Sequence, residues 1–287
     1  MTHKQRGRGG RPAFTLIELL VVISIIAILV SLTAAAVMRA LIKGPELLTR
    51  SEIGELEAKI GEARTKGYNN TPILYSKLVL HENGVYGNSP DEVHTVSVLT
   101  GMFGRYVVGH NIDWNQNGTI DAAPIVLEGE QALVFYLGGM PKVTNGIVGM
   151  VGFSTNPANP AAPPVSPTEK RLGPYFEFQT KRLVMTPNGF PVYTDVYGRG
   201  EPFAYFASTN TEGAGLYQPA DCASITPVAP VPYIGANAGS FQILSAGRDG
   251  AFGSAGASWN PSTGTTDPKG KDDQANFSPN LLGAPAR

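Results

Sequence analysis

Residues 19–38 form an apolar run broken only by Ser24, Ser31 and Thr33. At about 1.5 Å per residue, a helix of that length spans about 30 Å, the thickness of a bilayer's hydrocarbon core. The run predicts a membrane helix, and it constrains everything that follows. A cleaved secretory signal has a shorter apolar region, about 7–15 residues, ending at a small-residue site. Ala34, Ala35 and Ala36 keep that alternative open, although no Ala-x-Ala pattern leads cleanly into polar sequence.

The run has an unusual start. Lys4, Arg6, Arg8 and Arg11 precede Phe14 with no acid among them, and Glu18 then sits inside the first apolar turns. Without these four cations, 18 basic residues stand against 23 acidic ones, so the basic character is local. It reads as a signal on the cytoplasmic side of a membrane. No later basic run interleaves with aromatics, so no nucleic-acid partner is expected. An ionisable residue within a span is costly and calls for a partner. Were the peptide bond before Phe14 cut, a new ammonium would stand about 6 Å along the helix from Glu18, on the same face. The alternative is a carboxylate that merely snorkels to the interface.

The string FTLIELLVVISIIAILVSL, beginning at Phe14, resembles the class III signal of type IV pilins and type II secretion pseudopilins. That resemblance implies an aspartyl prepilin peptidase that cuts between Ala13 and Phe14 and methylates the new amine. Glu18 would then register an incoming subunit through its neighbour's Phe14 amine. The family usually has Gly before the cut, where this chain has Ala13. The implied organisation is a basic leader at 1–13, a transmembrane helix at 14–38, an amphipathic helix at 39–66 and a loop-rich globular domain at 67–287.

The residues themselves support the last two segments. Leu41, Leu48, Ile53, Leu56, Ile60 and Ala63 recur at spacings near three and four between charged residues, predicting a helix packed on a domain. Gly44-Pro45 predicts a kink or break there, or a turn separating two helices. Beyond Gly67-Tyr68-Asn69-Asn70, residues 93–106 read as helix and 131–137 as a short apolar element. Residues 156–167 and 226–232 read as proline-rich loops, and 175–178, 191–193, 202–207 and 240–244 as strands. With 34 glycines, 23 prolines and 42% hydrophobic residues, the expected fold is α+β: a long N-terminal helix on a small antiparallel sheet with long loops. Cys222 is the only cysteine, so no intrachain disulfide is available.

Two further segments are similar to the major, G-type pseudopilin. Residues 195–205, Asp-Val-Tyr-Gly-Arg-Gly-Glu-Pro-Phe-Ala-Tyr, resemble its Asp-x-Trp-Gly-x-Pro-Tyr turn, with Tyr for Trp and two additional residues. Residues 241–250 resemble its strand followed by Ser-x-Gly-x-Asp-Gly, and 272–277 its closing Asp-Asp-Ile-x-Asn. The resemblance implies bound Ca²⁺, with Ser245, Asp249, Asp272 and Asp273 as candidate ligands; oxygen donors of this kind suit a hard cation. The alternative is two glycine-rich turns carrying solvated acids. A second candidate loop places Asp113, Asn115, Asn117, Thr119 and Asp121 at positions 1, 3, 5, 7 and 9 of an EF-hand pattern, with Gly118 at position 6. Position 12 is Pro124, so either Glu128 or Glu130 completes that site, or the segment is an Asx-rich turn.

Enzymatic signatures are missing: there is no His-Glu-x-x-His and no Gly-x-Ser-x-Gly. His81, His94 and His110 are scattered through unpatterned sequence and read as surface or packing residues. The expectation is therefore a non-enzymatic subunit of a type II secretion-like pseudopilus. It would be single-pass in the inner membrane, with a cytoplasmic leader and periplasmic domain. Its partners would be membrane lipid, prepilin peptidase, the inner-membrane secretion platform, minor pseudopilins and further copies in a homo-oligomeric filament spanning the periplasm. The alternative is a type IV pilin serving adhesion, motility or DNA uptake.

Overall fold

The computed structural model describes residues 14–209, 217–226, 229–233, 236–254 and 259–286. Ala13, at the predicted cut, lies outside them, as do residues 227 and 228 of the second proline-rich loop. The chain divides into two compact units, Met1–Pro45 and Glu46–Arg287.

Helix α1 (Leu16–Glu62) runs through that boundary and ends in a π-turn at Ala63–Gly67. Neither a break nor a turn between two helices occurs at Gly44-Pro45, since α1 continues through Pro45. Proline removes one ladder bond, and the strongly helical sequence on either side carries the backbone across it. In the first unit the apolar side chains are bare: Leu20, Ile25 and Leu29 are each more than half exposed. The residues interrupting the run cost little in an apolar medium, since their hydroxyls return to the helix's own carbonyls. Ser24 Oγ donates to Leu20 O at 2.7 Å, Ser31 Oγ to Ile28 O at 2.8 Å and Thr33 Oγ1 to Leu29 O at 2.9 Å.

In the second unit α1 buries Ile53, Leu56, Ile60 and Ala63. Each larger side chain contributes about 1.5–3 kcal/mol of hydrophobic stabilisation. Leu48, expected on the same stripe, is 61% exposed, and the neighbouring Thr49 is buried instead. Strand β1 (Leu78–Leu80) leads to α2 (Pro90–Phe103), which Ser89 starts: its Oγ accepts from Glu92 N at 3.3 Å while Glu92 Oε2 accepts from Ser89 N at 3.3 Å. A short 3₁₀ turn at Arg105–Val107 follows, so the predicted helix at 93–106 is displaced by about one turn toward its capping serine.

Strand β2 (Ile125–Leu127) pairs antiparallel with β1, and α3 (Gly129–Gly138) carries the expected apolar element. Strand β3 (Pro141–Thr144) joins β4 (Ile147–Met150), β5 (Phe153–Ser154) joins β6 (Arg171–Leu172), and β7 (Leu183–Met185) joins β8 (Pro191–Tyr193). The main sheet sets β9 (Ala204–Ala207) beside β10 (Phe241–Ser245); β11 (Trp259–Asn260) pairs with β12 (Gly264–Thr265), and β13 (Gln274–Ala275) completes the sheet in the order β13-β10-β9. The fold is α+β, a long helix with small antiparallel sheets and loops. Residues 175–178, predicted as a strand, lie outside the paired strands. Their alternation is real, since Phe176 and Phe178 are buried edge-to-face at 4.8 Å, yet the backbone turns to α3 instead, with Tyr175 N donating to Leu137 O at 2.7 Å.

Candidate functional site

Three sequence-predicted sites are each built differently. At the N-terminus, Phe14 is 72% exposed and α1 begins two residues later. Thr15 acts as the helix cap: Glu18 N donates to Thr15 Oγ1 at 3.3 Å, and Glu18 Oε2 accepts from Thr15 N at 2.8 Å and Thr15 Oγ1 at 2.7 Å. This is a reciprocal capping box. Glu18 therefore already holds two protons of its own helix in the uncut chain. The sequence carries this signal as Thr-x-x-Glu, from Thr15 to Glu18.

At the C-terminal end, β10 and β13 bring the predicted acidic segments together. Asp249 N donates to Asp272 Oδ2 at 2.9 Å, and Asp273 Oδ2 accepts from Gly253 N at 3.0 Å and from Tyr233 OH at 3.3 Å. Gly247, at φ +67°, permits the approach: a Cβ there would fall 2.2 Å from Asp272 O. Asp273 is fully buried, and its Oδ1 has no hydrogen-bond partner among the described residues. Burial first, then the charges of Asp272 and Asp249, push the Asp273 carboxyl well up from the ordinary carboxylate range. Asp249 is also raised, by burial and then, after a bond from Ala251 that opposes the shift, by Asp272. Ser245 instead turns away and donates to Asp195 Oδ2 at 2.7 Å.

Asp195 thus links the turn at 195–202 to this region, and Gln274 Nε2 extends the link to Tyr197 OH at 2.8 Å. Asp195 is thereby a further member of the site. Its position in the turn resembling the pseudopilin motif was the available clue. Among the described residues, no group of three or more His, Cys, Asp or Glu side chains is arranged to hold a metal ion.

The third site gathers all five predicted side chains. Asp113 accepts from Asn117 N at 3.1 Å and Gly118 N at 2.8 Å; Asn115 Oδ1 accepts from Asn117 N at 3.0 Å, and Asn117 Oδ1 from Thr119 N at 2.8 Å. Asp121 Oδ2 accepts the amides of Asn115 and Asn117 at 3.1 and 2.9 Å, which hold its carboxyl below the usual range. Neither Glu128 nor Glu130 completes this loop. Both interact with Ser224, Glu128 Oε2 accepting its N–H at 2.7 Å and Glu130 Oε1 its hydroxyl. The loop is instead organised by Glu82, fully buried, which accepts from Trp114 N at 2.9 Å, Asn115 N at 3.2 Å and Asp121 N at 2.8 Å. An acid two residues beyond an apolar strand was the sole trace of that role.

The three histidines have separate surroundings: His81 pairs with Glu92 at 3.0 Å, His94 stacks on Tyr75 at 4.0 Å, and His110 lies 6.2 Å from the Tyr106 ring. Residues 10–34 match the family model of the prokaryotic N-terminal methylation motif. No curated protein and no solved structure matches the chain. The motif supports a type IV pilin-like protein, processed by prepilin peptidase, and belongs to a structural rather than an enzymatic family. Helix α1, by length and composition able to cross a membrane, fits membrane anchoring.

Proposed function

We propose that the chain is a subunit of a type II secretion-like pseudopilus, cut before Phe14 and assembled through α1 to drive protein export. The observation that carries this reading is the methylation motif over residues 10–34, running into a helix whose most apolar stretch has no buried residue. A bare apolar helix needs lipid or other helices to cover it. Before cleavage, Glu18 is held by Thr15. After cleavage, the ammonium of a neighbour's Phe14 supplies the missing positive charge, and an ion pair in so apolar a setting fixes register more than it adds stability.

Calcium would stiffen the periplasmic domain at Asp249, Asp272 and Asp273; the support for this reading is the unpartnered, buried Asp273 Oδ1, and binding would require the Asp249 and Asp272 carboxylates to close up around the ion. The 113–121 loop is a second candidate for the same ion. Titrating Ca²⁺ into the full chain by calorimetry, with Asp249→Ala and Asp113→Ala variants, separates the two. Absence of heat and of any thermal shift removes both.

The assembly role is tested with Glu18→Ala expressed in cells carrying the secretion platform. That variant is expected to enter the membrane and be cut, yet fail to cross-link into filaments. Normal incorporation would falsify the registration role. Co-purification of the parent chain with the inner-membrane platform supports the pseudopilus, whereas surface filaments under native expression point to a type IV pilus.

A further inference from the structure

A cavity of about 490 Å³ opens at the N-terminal turn of α3. Glu128, Glu130 and Glu201 are among its lining residues, Arg199 is the only basic one among the described residues, and Val126 and Ile225 supply apolar wall. Its volume lies in the range of small-ligand sites.

Most of its polar groups are mutually satisfied. Gln131 Nε2 donates to Thr186 Oγ1 at 2.7 Å and Asn188 Oδ1 at 2.8 Å, while Asn188 Nδ2 reaches Val126 O at 2.9 Å. Ser224 donates its N–H to Glu128 and its hydroxyl to Glu130 Oε1. What remains is acceptor capacity. Glu130 is 3% exposed, and its Oε2 has no hydrogen-bond partner among the described residues. A buried carboxylate oxygen in that condition is costly unless a donor, preferably a charged one, reaches it.

Arg199 does not meet that need. Its side chain lies across Gly250, where a Cβ would fall 2.7 Å from Arg199 Cδ, and its charge acts on Asp249. The cavity is therefore left with an excess of negative charge. Burial and then, after bonds that oppose the shift, the adjacent Glu128 push the Glu130 carboxyl up, and burial and then Asp195 do the same for Glu201. Burial is the first cause of both shifts, and the secondary charge differs: Glu128 at Glu130 and Asp195 at Glu201.

We propose that this cavity binds the cationic end of an aliphatic guanidine or amine, with Glu130 as the counter-charge at its base and Val126 and Ile225 covering the stem. The guanidinium or ammonium supplies the donors that Oε2 lacks, and the stem displaces water from the apolar wall. An arginine or lysine side chain and a free alkylamine share this chemistry.

The test is calorimetric titration of the full chain, in neutral-detergent micelles, with n-butylguanidinium, n-butylammonium and the uncharged isostere n-butylurea. Saturable binding of the cations is expected, with the urea weaker by about tenfold or more, as loss of a charge-assisted bond predicts. Glu130→Gln is expected to weaken n-butylguanidinium by about tenfold. Should that buried substitution impair folding, Glu201→Gln, at a half-buried position, is expected to weaken it by about threefold. A blocked Gly-Arg-Gly peptide that binds as well as n-butylguanidinium supports a side chain as the natural source. Failure of the peptide, with n-butylguanidinium still bound, supports a free amine. Equal binding of the urea, unchanged binding by the variants, or no saturable binding of either cation overturns the proposal.

Discussion

Two of the carboxylates on helix α1 solve one problem in opposite ways. Glu18, in the membrane-type half, is satisfied within its own first turn by Thr15. Glu52, in the domain half, takes its partners from far along the chain: its Oε1 accepts from Arg182 Nη2 and from Tyr193 OH at 2.7 Å, and Arg182 stacks 4.3 Å above the Tyr193 ring, while Glu52 Oε2 has no hydrogen-bond partner among the described residues. The local solution leaves the first half complete without tertiary packing. The distant one makes the second half depend on the domain around it. A continuous helix can thus be two physical objects, one built to wait for partners and the other already committed to them.

The sharpest way to break this contrast is to remove the distant partner. Arg182→Ala would leave Glu52 buried without a counter-charge, a loss of about 3–5 kcal/mol. Denaturant unfolding of the full chain in micelles should read this as a lower midpoint for the Glu46–Arg287 unit. Leu56→Ala, at a fully buried position of the same half, should cost about 2–5 kcal/mol. Its counterpart Leu29→Ala should leave that midpoint where it was, because Leu29 is 56% exposed. An equal effect of the two alanines would mean that the halves are not separate in energy.

The same contrast explains what the sequence disclosed. The apolar run, the stripe Ile53-Leu56-Ile60-Ala63 and strands β8, β9 and β10 were legible because each repeats a local period that burial enforces. The two-helix reading of Gly44-Pro45 misled because a proline penalty is local and fixed, whereas the helical preference of both flanks accumulates over many residues. The run 175–178 misled for another reason: alternation reports which side chains are buried, not whether a second strand lies alongside. Glu52–Arg182, Glu82 beneath the 113–121 loop and Asp195–Ser245 were illegible because each joins residues distant in sequence. No period announces such pairs.

A smaller effect separates the C-terminal acids from the solvated turns they resemble. The Asp273 carboxyl is raised in the folded chain above its ordinary value of 3.8. The folded state therefore keeps a proton that the unfolded state releases, so this group's contribution to stability is greatest below pH 3.8 and declines as pH rises toward the folded-state pKa. Asp273→Asn should remove up to one proton's slope, about 1.4 kcal/mol per pH unit, from the stability profile measured in chelator. It should also abolish the part of any Ca²⁺-induced stabilisation that arises at this cluster. An unchanged slope would place Asp273 among ordinary surface acids.

The smallest expected effect tests the local half itself. Thr15→Val keeps the backbone N–H that Glu18 accepts but removes the hydroxyl that Glu18 N and Oε2 both use. Loss of such a cap costs about 0.5–2 kcal/mol, confined to the first turn. Hydrogen exchange on the uncut chain in micelles should show faster amides at Ile17, Glu18 and Leu19, with Thr15→Ser restoring protection. Glu18→Gln should fray the same turn to a similar degree, since an amide oxygen can still accept from Thr15 N but carries no charge. The two variants are then expected to part in assembly. Thr15→Val leaves the carboxylate free to meet a neighbour's Phe14 ammonium and should still enter filaments, whereas Glu18→Gln cannot make that ion pair and should not. If both assemble equally well, Glu18 is a helix cap alone, and its place in the apolar run needs no partner chain to explain it.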